Sequence, residues 1–247
     1  MSEKRNLSLV TTSWDDGHPF DLRIADLLAK YDLSGTFYVP RDVHRPTMTE
    51  SEIRELSSRF EIGAHTLDHV LLDRIADREA RKALSGSRQW IEDVTGKPCR
   101  VFCFPEGRYR PNQLQLVREA GYESARTIEL LSTQFPRRIG GLSLIPTTVQ
   151  VFPHSPLTYA RNAIRRSSLR RVVGTRALFG ARDWLTLAQN LLQGIIGHGG
   201  VFHLWGHSWE IEEEQQWGRL EALLAMVSAN REKLTGVTNR ELGAYAT

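Results

Sequence analysis

Asp15 and Asp16 stand side by side at the end of an apolar run, in Ser13-Trp14-Asp15-Asp16-Gly17. His65 and His69 follow some fifty residues later, in His65-Thr66-Leu67-Asp68-His69. A carboxylate and two imidazoles form the ligand set of a catalytic zinc-type site, in which a position stays open for water. Two aspartates packed together in a dry pocket repel, and one of them takes up a proton. A divalent cation removes that conflict: one carboxylate binds it, and the other stays free to take a proton from water. The pair alone leaves open which aspartate does which. His65 and His69 are four apart, so on a helical turn they share a face. Zinc is the ion expected from these donors; nickel, cobalt or iron suits them as well, because geometry rather than affinity selects among them. Such a site, with a proton donor for the leaving group, hydrolyses an amide or an ester.

The elements that must position these residues are legible around them. Residues 8–14 read as a buried strand, on which neighbouring side chains point to opposite faces. Gly17 lets the chain turn so that both carboxylates reach one cavity. Phe20, Ile24, Leu27, Leu28 and Tyr31 then recur at helical spacing, with Pro19 near the first turn. Residues 35–39 are a second strand, Thr49 and Glu52 a capping box that opens a helix to about Phe60, and 61–64 a short strand ending at the histidines. Ala80, Ala83, Leu84, Ile91 and Val94 mark a longer helix, stopped by Gly96 and Pro98. Residues 100–104 predict a strand, 113–120 a helix and 122–125 another strand.

Strand and helix thus alternate repeatedly, the pattern of parallel βαβ units closing toward a (β/α) barrel. Asp15, Asp16, His65, the loop at Pro105 and Arg126 all fall at or just past a strand's C-terminal end. In such barrels those ends share the face that carries the active site. The expected fold class is α/β, with residues 1–247 as a single domain.

Composition fits that reading. The chain has 247 residues, 40% of them hydrophobic, enough to bury one large core. A net charge of +3 and a pI near 9.0 are only mildly basic, and nucleic acid is not an expected partner. The first residues are charged, and no apolar run reaches the roughly 18 residues of a membrane span. A cytoplasmic protein without a transmembrane segment is expected; its oligomeric state is not legible. Cys99 and Cys103 read as buried thiols.

The later chain is less regular. Residues 142–152 read as a strand or an extended loop, and His154 lies in a turn. Seven arginines between 161 and 182 suggest a solvated helix face, or else a phosphate- or membrane-facing patch. Residues 201–205 predict a strand on which His203, Trp205 and His207 share one side if the extension continues. Trp217, Leu220, Leu224 and Val227 mark a last helix that covers the barrel.

Ser13-Trp14-Asp15-Asp16-Gly17 resembles the Thr-Phe-Asp-Asp-Gly signature of the polysaccharide deacetylase superfamily, and His65-Thr66-Leu67-Asp68-His69 its His-Ser/Thr-x-x-His metal motif. The resemblance extends to residues 35–40, to Phe104-Pro105-Glu106-Gly107-Arg108-Tyr109 and to the late strand with its histidines. It implies a distorted barrel of about seven parallel strands, with Asp15 as general base and Asp16, His65 and His69 as metal ligands. It also implies a late histidine that protonates the leaving amine. His207, beyond the strand at the barrel mouth, is preferred over the mid-strand His203. Trp14, Pro105, Arg108, Trp205 and Trp209 are the expected substrate contacts; Trp205 and Trp209 either stack on a sugar ring or pack as buried aromatics.

Departures from the family pattern stand at Cys103, where many members carry an arginine paired with the catalytic aspartate, and at Glu106, where an aromatic is usual. No fourth motif of Asp and Trp is found. Arg126 is the expected replacement for the missing arginine, with Arg108 second. The implied activity is removal of an acetyl or formyl group from the nitrogen of an amino sugar, a sugar nucleotide or a glycan, in cytoplasmic glycan or O-antigen precursor synthesis. An allantoinase-like amidase acting on a small amide and a catalytically weak carbohydrate-binding member are the alternatives.

Overall fold

The structure is a computed structural model that describes residues 7–154, 181 and 183–247. The seven arginines between 161 and 182 lie outside the described residues.

Strand β1 (Ser8–Asp15) is buried along its whole length and forms the axis of the sheet. It is followed by β2 (Thr36–Val39), β3 (Glu61–Ala64), β4 (Val101–Cys103) and β5 (Ser124–Arg126). Then come β6 (Arg137–Ile139), β7 (Leu142–Ile145), β8 (Val149–Gln150), β9 (Gly200–His207) and β10 (Thr235–Gly236). The order in the sheet is β6-β7-β5-β4-β3-β2-β1-β9-β8, with β10 beside β1. Every described pairing is parallel except the β6–β7 hairpin, which turns through Gly140 and Gly141, both at positive φ. The sheet curls into a half-barrel, the distorted form that the family resemblance implies.

Residues 142–152 resolve into two strands, broken at Pro146, whose missing N–H cannot continue a ladder. Strand β6 carries no sequence signal because all three of its residues are exposed and lack alternation. The strand predicted over 100–104 is shorter, and the one predicted over 122–125 begins later and ends on Arg126.

The helices are α1 (Asp21–Lys30), α2 (Glu50–Arg59), α3 (Asp77–Thr95), α4 (Gln113–Glu119), α5 (Trp184–His198), α6 (Ser208–Glu213), α7 (Trp217–Ala229) and α8 (Asn239–Gly243); most cover the outer face, while α6 stands at the mouth and α8 packs at the opposite end. The capping box of α2 is formed: Glu52 Oε2 accepts from the Thr49 N–H at 2.7 Å, and Thr49 Oγ1 accepts from the Glu52 N–H at 3.3 Å. Helix α3 stops at Gly96, whose φ of 67° a side chain would strain. Val10 and Trp14 of β1 face these helices and join the main core with Ile24, Leu28 and Phe37.

The alternate residues of β1 face the interior, and their chemistry changes along the barrel. Leu9 packs with Ile145, Val201, Val237 and Leu242 at the closed end. Thr11 and Ser13 come next, the first donating to Asn239 Oδ1 and the second bonded to His203. Asp15 ends the series at the open mouth. One strand therefore runs from an apolar floor to a charged rim, because side chains two residues apart share a face. Among the described residues no helix is long and apolar enough to cross a membrane.

Candidate active site

Parallel register brings the charged residues together. His207 pairs with Asp15 across β9 and β1, and Cys103 with Arg126 across β4 and β5. Asp15 is buried, and burial alone would raise its carboxyl. The Arg126 charge and, to a smaller degree, that of His207 hold it below the ordinary carboxylate range. Arg126 is fully buried and its Nη2 donates to Asp15 Oδ2. The Cys103 thiol lies 3.8 Å from the same oxygen and is pushed well up by burial, so it stays protonated.

Asp16 leaves the strand in the left-handed region, φ 77°, followed by Gly17 at φ 62°. A side chain at position 17 would lie 2.7 Å from Val39 Cγ1, so the turn is tight as well as left-handed. This reversal sends Asp16 toward the histidines while Asp15 stays in the barrel. His65 and His69 are not on a helix. They flank a loop in which Thr66 and His69 take φ of 60° and 53°, and this loop, not a helical face, sets their rings 4.9 Å apart. Leu67 anchors it, its carbonyl accepting from the backbone N–H groups of Arg41 and Asp42.

Asp16, His65 and His69 fit a cation. His65 Nδ1 lies 2.8 Å from the Cys103 carbonyl, which can only accept, so Nδ1 carries the proton. Burial lowers the imidazole to about 4 and keeps it neutral. Its Nε2 therefore presents a lone pair, 3.7 Å from Asp16 Oδ1, with His69 Nε2 at 3.4 Å from the same oxygen. Asp16 Oδ1 is buried with no hydrogen-bond partner. A buried carboxylate oxygen without a partner, facing the lone pair of His65 Nε2, is what a metal ion satisfies. Asp15, His65 and Cys103 also cluster, but Asp15 is already paired with Arg126 and the thiol is protonated.

His207 Nε2 lies 4.0 Å from Oδ2 of both Asp15 and Asp16, across the mouth from the histidine pair. Its Nδ1 is 2.6 Å from Glu210 Oε2, which also accepts from Gln150 Nε2 at 3.0 Å. Burial opposes the imidazolium. The Glu210 hydrogen bond and the charges of Asp16, Glu210 and Asp15 outweigh burial and raise His207 to about 9. His203 is buried two residues deeper, its Nδ1 donating to the Pro146 carbonyl at 2.8 Å and its Nε2 accepting from Ser13 Oγ at 2.9 Å. Burial lowers it to about 3, so it stays neutral. Both its nitrogens are used inside the protein, and neither faces the mouth.

Other expected contacts are placed differently. Trp14 is fully buried on the helix side of β1 and donates to Thr12 Oγ1, so it cannot touch a substrate. Pro105 is buried. Arg108 is spent on Asp73 at the rim, Nη2 to Oδ2 2.9 Å, and does not reach Asp15. Trp205 is buried, with the Arg126 Cζ 4.6 Å from its ring centroid and His207 against it edge to face. Trp209 has His207 at 5.4 Å between ring centroids and the Arg45 guanidinium 3.4 Å from its own. His207 thus lies between the two tryptophans, Trp205 buried and Trp209 half-buried.

Glu210 and Gln150 were not singled out from the sequence. For Glu210 the signal is present: it follows His207 by three residues where a helix begins, and residues at that spacing meet. Gln150 gives no such signal, because it reaches Glu210 only through the β8–β9 pairing.

The polysaccharide deacetylase family model matches residues 3–125. The chain is 34% identical over 95 residues to a peptidoglycan-N-acetylmuramic acid deacetylase of Bacillus subtilis, covering 37% of this chain and 20% of that protein. It is 24% identical over 123 residues to a peptidoglycan-N-acetylglucosamine deacetylase of Bacillus cereus, 48% of this chain and 56% of that one. The matches thus span a fifth to about half the length of these curated relatives. A solved Mycobacterium smegmatis structure assigned to the polysaccharide deacetylases superposes with a TM-score of 0.71 at 16% identity, covering 100% of this chain and 92% of the other. Motifs and family match agree: residues 3–125 belong to the polysaccharide deacetylase family, and the whole chain shares the fold of that solved structure.

Proposed function

We propose that this chain removes an N-acyl group, acetyl or formyl, from an amino sugar within a glycan or a glycan precursor. The observation that carries the reading is that Asp15, an ionised carboxylate, and His207, an imidazole held ready to be charged, face each other at the mouth, with Nε2 4.0 Å from Oδ2. Asp15 accepts the proton of the attacking water. His207 gives a proton from Nε2 to the departing nitrogen, while Glu210 at Nδ1 fixes the tautomer and the ring. Arg126 keeps Asp15 unprotonated without touching the substrate. Asp16, His65 and His69 would hold a divalent cation, with zinc favoured by the donor set. When bound, such an ion polarises the acyl oxygen and lowers the pKa of water.

The relatives' names support an N-acetylated hexosamine as substrate. The proposed class includes peptidoglycan-type polymers and cytoplasmic precursors such as those of O-antigen. The test is amine release from chitooligosaccharides, peptidoglycan fragments and N-acetyl or N-formyl sugar nucleotides, beside small amides such as allantoin. Release from any sugar substrate that disappears in Asp15→Asn is expected. Release from the small amides alone would overturn the sugar assignment. Sugar binding with no release at any pH would overturn the hydrolase.

A further inference from the structure

Trp209 donates its indole N–H to Asp16 Oδ2 at 3.1 Å. A tryptophan N–H can only donate, so this contact occupies one carboxylate oxygen without competing for a cation. The other oxygen, Oδ1, is the one that faces His65 Nε2 and His69 Nε2 and is buried without a partner. The indole thus selects which oxygen points at the imidazoles. Its own position is fixed from several sides. Arg45 lies over the ring, its Cζ 3.4 Å from the centroid, and Arg45 Nη1 lies 3.5 Å from Glu213 Oε1. One residue before Trp209, the buried Ser208 donates from Oγ to Asp21 Oδ1 at 2.5 Å and ties the start of α6 to the start of α1. The backbone of the Asp16 turn is held separately, the Met48 N–H donating to the Gly17 carbonyl at 2.8 Å.

Resting on the reading of Asp16 as a metal ligand, we infer that Trp209, clamped by Arg45, is a positioning residue that restricts Asp16 to binding a metal ion through Oδ1 alone. A free carboxylate can turn and offer both oxygens, or turn away from the imidazoles. Partners that orient a ligand are worth about 10- to 100-fold in metal affinity. Trp209 also packs against His207, so the clamp couples the orientation of the metal ligand to the placement of the acid.

The experiment titrates the metal-free full chain with Zn²⁺ and Co²⁺ alone, against a competing chromophoric chelator, for wild type, Trp209→Phe, Arg45→Ala, Asp16→Ala and the Asp16→Ala/Trp209→Phe double variant. Trp209→Phe is expected to weaken binding about 10- to 100-fold. Its Co²⁺ visible bands should weaken too, as coordination rises when both carboxylate oxygens bind. Arg45→Ala should fall between it and wild type. In the Asp16→Ala background Trp209→Phe should add no further loss. Folded Trp209→Phe with wild-type affinity and wild-type Co²⁺ bands overturns the inference, and so does an equal loss in the Asp16→Ala background. If Trp209→Phe does not fold, wild-type affinity in Arg45→Ala overturns it. A wild type that binds neither ion would overturn the ligand assignment itself, and this inference with it.

Discussion

Arg126 stands directly beside Cys103 across the β4–β5 pairing, and from the neighbouring strand it reaches the Asp15 carboxylate. The arginine that the family pattern puts at position 103 is therefore supplied from one strand over. The small thiol leaves the space, and its Sγ lies 3.8 Å from the oxygen that Arg126 contacts. The Arg126 Cζ is 4.6 Å from the Trp205 ring centroid and 5.5 Å from that of Tyr38, so the guanidinium is walled by aromatic faces as well as paired.

Because this pair is buried, removing one partner leaves an uncompensated charge. Arg126→Met should lower stability by about 3 to 5 kcal/mol. Asp15→Asn combined with Arg126→Met should cost less than the sum of the single changes. Urea unfolding of the four proteins measures the coupling, and simple additivity would show that the two charges do not support each other.

His207 and His203 make opposite predictions. His207→Ala should keep the fold and lose about 10²- to 10⁴-fold in turnover, the usual worth of a placed proton donor. Glu210→Gln should lower turnover less, since the amide still fills the space at Nδ1 but no longer supports the imidazolium. His203→Ala leaves the Pro146 carbonyl and Ser13 Oγ unpaired in the core. It should cost about 1 to 3 kcal/mol for each group so stranded. Turnover and thermal unfolding on the same samples separate the roles, and the reverse pattern would assign the acid to His203.

Glu61 opens β3 away from the mouth, where it accepts from Thr36 Oγ1 at 2.7 Å and from the Arg240 N–H at 3.1 Å. Burial raises its carboxyl to about 6, against the partial help of these hydrogen bonds. A carboxyl raised on folding is held more firmly protonated in the native state. Its contribution is thus full below the ordinary 4.5 and is lost as pH rises through 6. The loss is at most about 2 kcal/mol. Glu61→Gln should flatten the difference in stability between pH 4.5 and 6 relative to wild type, as read from urea midpoints across that range. An unchanged difference would place the titration elsewhere.

The sequence by itself determined the residues that can do the chemistry and the strand ends that carry them. Asp15 and Asp16 close an apolar strand, and Thr49 with Glu52 caps a helix, because periodicity and capping are local properties of the chain. The register of parallel strands is not local. It alone decided that His207 lies opposite Asp15 and that Arg126, not Arg108, reaches the carboxylate. The left-handed turns at Asp16 and His69 were likewise invisible, since neither residue type requires a positive φ. Trp14 and Trp209 show the same division. Both stand next to site residues in the sequence, yet one is sealed in the core and the other donates to Asp16. Which side chain meets which depends on the curl of the sheet and on the helices packed across it, and that is settled only when distant segments are brought into contact.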